Sequence, residues 1–169
     1  MSAPRIAETD YAECRDFLFD EAAILDARDY QRWLSLLAPE IQYRVTAGVV
    51  RYTSDQPMEF LILDDRLIDI TTRVNQISNP KLTFAENPAP FMRRFVSNIR
   101  ASQSSTTDTF QVDSSILVYR QDASVAQPYL ISGSRHDLLR RAGGALQLLK
   151  RHIQLDESVI PSANLATFM

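Results

Sequence analysis

The side chains able to do chemistry in this chain are few. There are two histidines, His136 and His152, and one cysteine, Cys14. A Rieske-type cluster needs two thiolates and two imidazoles, so a lone cysteine excludes one built from these residues. Two histidines and a carboxylate could hold non-haem iron. The hairpin register derived below sets His136 opposite Arg151 and turns His152 to the other sheet face, which argues against a shared site unless the turn is one residue longer. Cys14 falls on an apolar helical face, where a thiol is a small core residue rather than a nucleophile. No phosphate loop, GxGxxG pattern or nucleophile elbow occurs. Four glycines are a poor supply for wrapping backbone around a nucleotide.

The carboxylates offer two more candidates. Glu21 shares a helical face with Tyr11, Cys14, Leu18, Ala22 and Leu25. A carboxylate there must find a cation or donors, or else neutralise; an internal ion pair is favoured over a catalytic base. Asp64 and Asp65 are adjacent and invite a metal or acid/base role, but no further ligand stands nearby at metal spacing. They precede a helical run, where one would cap amide groups and the other complement the dipole.

The arginines Arg93, Arg94, Arg100, Arg135, Arg140, Arg141 and Arg151 all fall in the second half of the chain. Adjacent Arg93 and Arg94 put one guanidinium on each face of a strand, and Arg135 can pair with Asp137 two residues on. Planar, bidentate arginines favour subunit contacts. A net charge of -3 gives no basic field for nucleic acid or an anionic membrane, so protein partners are expected.

These groups are positioned by helices first and strands afterwards. Helical spacing begins near Asp10. A second short helix is expected from Asp29, its N-cap, to Leu37, ended by Pro39. Glu40–Thr46 alternates as a strand, Val49–Thr53 can return as another, and Ser54–Met58 reads as loop. Leu67, Ile70, Val74 and Ile77 mark a third helix that Asn79-Pro80 stops near Ser78. Past Pro88 and Pro90 four strands follow: 91–102, 107–120, 129–141 and 146–156. Ala142-Gly143-Gly144-Ala145 is a hairpin signal; its two-residue turn sets Leu138 opposite Leu149 and Leu139 opposite Leu148. A helical half and a strand half must bury their apolar faces on each other, which is an α+β layer fold.

With 169 residues, 45% hydrophobic and 23% charged, one domain over 1–169 is expected, with 1–8 as a loose arm. Such a chain buries roughly 70% of its unfolded surface. No apolar run approaches the ~20 residues that span a bilayer. Met1 is followed by polar residues rather than a leader, and one cysteine suits a reducing cytoplasm.

Several stretches, taken in order, resemble the small (β) subunits of bacterial aromatic-ring-hydroxylating dioxygenases. They are Phe17–Asp26; Trp33–Leu37 with Ile41-Gln42-Tyr43; Asp64-Asp65 and Arg73-Val74; Glu86-Asn87-Pro88 with Arg93–Asn98; Arg135–Arg141; and Asn164–Phe168. The resemblance covers nearly the whole chain. It implies a cone-shaped fold of the nuclear transport factor 2 type, a curved antiparallel sheet over N-terminal helices. It implies a structural subunit with no catalytic residue, cofactor or metal of its own. The Rieske [2Fe-2S] cluster and mononuclear non-haem iron would belong to a large (α) subunit, fed by a ferredoxin and reductase. Three small subunits would sit as a trimer within an α3β3 hexamer. Arg93, Arg94, Arg135, Asp137, Arg140, Arg141 and Phe168 are the candidate interface residues.

The same fold also hosts dehydratases and ketosteroid-type isomerases that work inside the cone. On that alternative Tyr43 is the proton donor and Glu21 or Asp137 the base, its pKa raised by burial. An open pocket holding Glu21 without an arginine would favour it; an arginine across the core would keep the carboxylate ionised and inert.

Overall fold

The computed structural model describes residues 6–49, 58–79, 81, 88–123, 125–157 and 167–169. Helix α1 (Glu8–Asp26) buries Cys14, Leu18, Glu21, Ala22, Ile24 and Leu25 along one side. No side chain caps its start, but Glu8 and Asp10 in the first turn complement the positive end of the dipole. Arg28 adopts the left-handed conformation (φ 58°) that ends the run. Asp29 then caps α2 (Tyr30–Ser35), accepting from the Arg32 amide at 3.2 Å.

Strand β1 (Leu37–Val49) starts earlier than the alternation predicts and runs through Pro39. Its pairing is irregular between Leu37 and Gln42, where a residue without an amide donor costs least. The expected return strand at 49–53 and loop at 54–58 fall mostly outside the described residues.

Strand β2 (Met58–Asp65) is an element the sequence pattern missed. Its Phe60-Leu61-Ile62-Leu63 run has no period of two, and as an edge strand it needs none. Asp64 and Asp65 therefore close a strand and cap nothing. Asp65 pairs with Arg73 at 2.6 Å. The start of α3 (Leu67–Ser78) is held instead by Asp69, which accepts from the Arg66 amide at 2.9 Å. Ile70, Val74 and Ile77 are its buried stripe, and the helix stops at Ser78 as expected.

Strands β3 (Phe91–Gln103), β4 (Thr109–Gln121), β5 (Tyr129–Ala142) and β6 (Ala145–Leu155) complete a sheet in the order β2-β1-β6-β5-β4-β3. It is not purely antiparallel. β1 lies parallel to β6, because the chain passes through β2, α3 and three further strands before returning beside β1, a crossover long enough for parallel pairing. Register shifts interrupt β1 against β2 after Val45, β3 against β4 after Ser97, and β5 against β6 after Leu138. Bulges bend the strand that carries them and tighten its twist, so they help curve the sheet over the helices.

The hairpin turn is the expected one, with Gly143 (φ 60°) and Gly144 (φ 84°) in the left-handed region a two-residue turn demands. Leu139 does face Leu148. Leu149 then bulges, so Leu138 faces Lys150, Asp137 faces Arg151 and His136 faces His152. The expected pairings of Leu138 with Leu149 and His136 with Arg151 are corrected accordingly.

The core fills the space between the helices and the inner sheet face. Trp33, Tyr43, Phe110, Leu139 and Ile153 are almost wholly buried, and so are Phe168 and Met169.

Candidate functional site

The inner face of the sheet carries a cluster of four buried charges. Arg151 lies at its centre with no exposed surface. Its Nε and Nη2 donate to Asp137 at 2.8 Å each, and its Nη1 and Nη2 donate to Glu21 at 2.7 Å each. Both carboxylates are thus held by forked bonds from one guanidinium. Arg135 adds a second cation, 3.8 Å from Glu21 and from Asp137, and donates to Ser114 Oγ at 3.2 Å. The indole of Trp33 donates to Glu21 at 3.0 Å. With two cations and two anions, the group is neutral as a whole.

Burial alone would raise the Glu21 pKa, but Arg151, Arg135 and Trp33 together bring it below the ordinary carboxylate range. Burial works against Arg151 too; its two carboxylates overcome that and hold it well above its ordinary value. Burial and the neighbouring Arg151 lower Arg135, which Asp137 and Glu21 partly offset; a guanidinium stays charged regardless. Burial raises the Tyr43 phenol against the pull of Arg151.

Of the acid/base candidates, Glu21 and Asp137 share one arginine, and Tyr43 meets the end of the described chain. The Tyr43 hydroxyl donates to the main-chain oxygen of Met169 at 3.0 Å and accepts from its amide at 2.9 Å. An ionised, doubly bonded Glu21 is a poor base near neutral pH. The space it would need for a substrate is filled by Phe168 and Met169.

The interface candidates divide by burial. Arg135, Asp137 and Phe168 lie inside the chain's own core, almost without exposed surface. Arg94 is buried as well, pairing with Asp26 at 2.8 Å and donating from Nε to the Phe168 carbonyl at 2.8 Å. The surface keeps the other three. Arg93 is 61% exposed, Arg140 pairs with Glu40, and Arg141 bridges Asp10 and Glu13.

The histidines occupy the opposite, outer face. The Leu149 bulge brings both to that side, with ring centroids 6.3 Å apart. His136 Nδ1 meets Asp113 at 2.7 Å, and His152 Nε2 meets Thr46 Oγ1 at 3.0 Å. They line an open cleft of about 450 Å³ with Ser104, Gln111 and Lys150. Burial lowers the His152 pKa, helped by Arg44, His136 and Lys150 against Glu59. Cys14 lies across the core in α1, its thiol pushed up to about 12 chiefly by burial. One inert thiol and two imidazoles on the far side of the sheet do not fit a Rieske cluster.

The sequence pattern overlooked Arg151 as the hub and Met169 as a partner of Tyr43. Arg151 could have been found from parity. Leu148 and Ile153 are both apolar yet five residues apart, so they share a face only if a bulge lies between them.

The family model for the ring hydroxylating beta subunit matches residues 20–162. The chain belongs to that family. As a ring-hydroxylating beta subunit it is 32% identical to the biphenyl 2,3-dioxygenase subunit beta of Rhodococcus jostii (strain RHA1), over 92% of this chain and 87% of that one. It is 28% identical to the N,N-dimethyl phenylurea N-demethylase subunit beta of Sphingobium sp. (strain YBL2), over the full length of both. Among solved structures, a chain of naphthalene 1,2-dioxygenase with indole bound superposes with a TM-score of 0.86 at 21% identity, covering 99% of this chain and 90% of that one. That likeness establishes the fold: the cone-shaped α+β architecture of the nuclear transport factor 2 type, with an unclosed sheet. No helix among the described residues is long and apolar enough to cross a membrane.

Proposed function

We propose that this ring-hydroxylating beta subunit is the non-catalytic structural subunit of an aromatic-ring-hydroxylating dioxygenase, working in the cytoplasm as a single domain in the breakdown of aromatic hydrocarbons. It associates with a large (α) subunit and with two further copies of itself, as an α3β3 hexamer. The large subunit holds the Rieske [2Fe-2S] cluster and the mononuclear iron and receives electrons from a ferredoxin and reductase. This chain holds neighbouring large subunits in register, because electron transfer between a cluster in one and the iron in another needs a short, fixed distance.

The observation that carries this reading is the family match over residues 20–162. The site geometry supports it. The carboxylates that an acid/base enzyme would use are tied up in a neutral buried cluster, which suits a rigid base better than a turnover site. Of the candidate interface arginines, Arg93, Arg140 and Arg141 reach the surface, and they are proposed to contact the other subunits.

The test is co-expression with a large subunit, followed by the mass of the intact assembly and metal analysis of each separated chain. The expected result is a stable mixed oligomer with all iron in the large chain. Stoichiometric iron in this chain alone, or ring oxidation by it unaided, overturns the proposal.

A further inference from the structure

Three residues, Thr167, Phe168 and Met169, are held inside the cone by side chains from six elements. The ring of Phe168 lies 4.4 Å from that of Trp33 and is edge-on to Tyr30 and Tyr43 at 6.2 and 6.3 Å. The Arg73 guanidinium stands 5.8 Å from its centroid. The polar contacts run along the main chain. Arg94 Nε donates to the Phe168 oxygen at 2.8 Å, and Arg151 Nη1 and Tyr43 donate to the Met169 oxygen at 2.8 and 3.0 Å. Arg120 Nη1 reaches Thr167 Oγ1 at 3.2 Å.

An aromatic slot beside convergent, buried donors is how small-molecule sites are built: an apolar body for affinity and a few fixed polar groups for orientation. Here the donors address acyl oxygens, one on the residue that carries the ring and one on the residue after it, and the slot addresses the ring. We propose that the cone interior is a binding site for an aromatic ring carrying an acyl oxygen, and that residues 167–169 are its tethered occupant. The chain supplies its own ligand, so the site stays closed to free molecules. A tethered group competes at an effective concentration on the order of millimolar, which a weak free ligand does not overcome. This inference concerns the interior of the cone and is independent of assembly with a large subunit.

Two variants test it, each in the otherwise full chain. The first lacks residues 167–169; the probes are 3-phenylpropanamide, 3-phenylpropionate and the acetylated peptide Thr-Phe-Met, with binding followed by protein NMR shifts. The expected result is saturable binding by the variant and none by the intact chain, with binding of the peptide at least about tenfold weaker once Tyr43→Phe is added, since Tyr43 bonds the Met169 oxygen. Preference for the amide or the acid separates a neutral acyl oxygen from a carboxylate as the recognised group. The second variant, Phe168→Ala, keeps the main-chain anchors and empties only the ring slot; toluene is the probe, and saturable shifts at Trp33 and Tyr30 are expected. If the first variant does not fold, the peptide added in trans should restore the fold. The proposal is overturned if the folded deletion variant binds no probe, if the peptide fails to rescue an unfolded one, or if Phe168→Ala leaves toluene unbound.

Discussion

Two neighbouring rows of side chains cross the same six strands and behave in opposite ways. The inner row reads Asp65, Tyr43, Arg151, Asp137, Val112, Ala101; the outer row reads Asp64, Arg44, His152, His136, Asp113, Arg100. Each inner residue is the chain neighbour of an outer one. The outer row holds five exposed or half-exposed charges and imidazoles across to Asp113, whose partner His136 is 54% exposed. Both rows carry carboxylates and arginine side by side. What differs is water: outside, solvent screens each charge and a pair contributes about 0–1 kcal/mol. Inside, every charge must be answered by another, and breaking one partnership costs about 3–5 kcal/mol. The Arg151 guanidinium of β6 ties α1 and β5 together through Glu21 and Asp137, while the outer row is free to be lost or rearranged.

The strongest way to break the contrast is to exchange the rows. The double variant Arg151→His, His152→Arg does this at a fixed register: the guanidinium moves to the outer face, and Glu21 and Asp137 are left around an imidazole that cannot give both of them forked bonds. The expected outcome is loss of the cooperative unfolding transition and of dispersed NMR signals.

Next comes Arg151→Met, which leaves Glu21 and Asp137 buried without their cation, with an expected loss of about 3–5 kcal/mol in denaturant titrations near neutral pH. Replacing both carboxylates by leucine as well should recover most of that loss, because a well-packed apolar cluster can match a buried ion pair.

The pH dependence sharpens the same point. In the native chain the Glu21 pKa is lowered from 4.5. Its stabilisation is therefore full above that value and is lost as pH falls through the depressed folded value. In Arg151→Met the burial of Glu21 is opposed only by Arg135 and Trp33, so its pKa moves up, and its contribution is then full in acid and is lost as pH rises through the raised folded value. Denaturation midpoints against pH should slope in opposite directions for the two proteins. Parallel slopes would mean that Arg151 does not govern these carboxylates.

The smallest effect is expected on the outer row. Asp113→Asn removes the partner of His136 and should cost under about 1 kcal/mol, shrinking further in high salt. A loss as large as that of Arg151→Met would erase the distinction between the rows.

Much of this was legible in the residues. The helical spacing that put Glu21 among Cys14, Leu18 and Leu25 was enough to demand a partner for it, and Asp29, Asn79 and the glycine pair marked real ends and turns. What failed was local in each case. β2 was invisible because Phe60–Leu63 has no alternation. Asp64 and Asp65 looked like caps because that strand was missed. The two histidines were separated because a perfect ladder was assumed where Leu149 bulges. Phe168 was read as a partner contact because nothing local to it says that its ring packs against Trp33.

The sequence by itself determined the α+β division, the family, the scarcity of metal-binding side chains and the need to neutralise Glu21, since all of these follow from residue identity and short-range period. Only the tertiary structure decided which cation answers Glu21, which face the histidines share and what fills the cone. The first and last depend on contacts between residues more than a hundred positions apart, and the second on one bulge in a hairpin; no local preference encodes them.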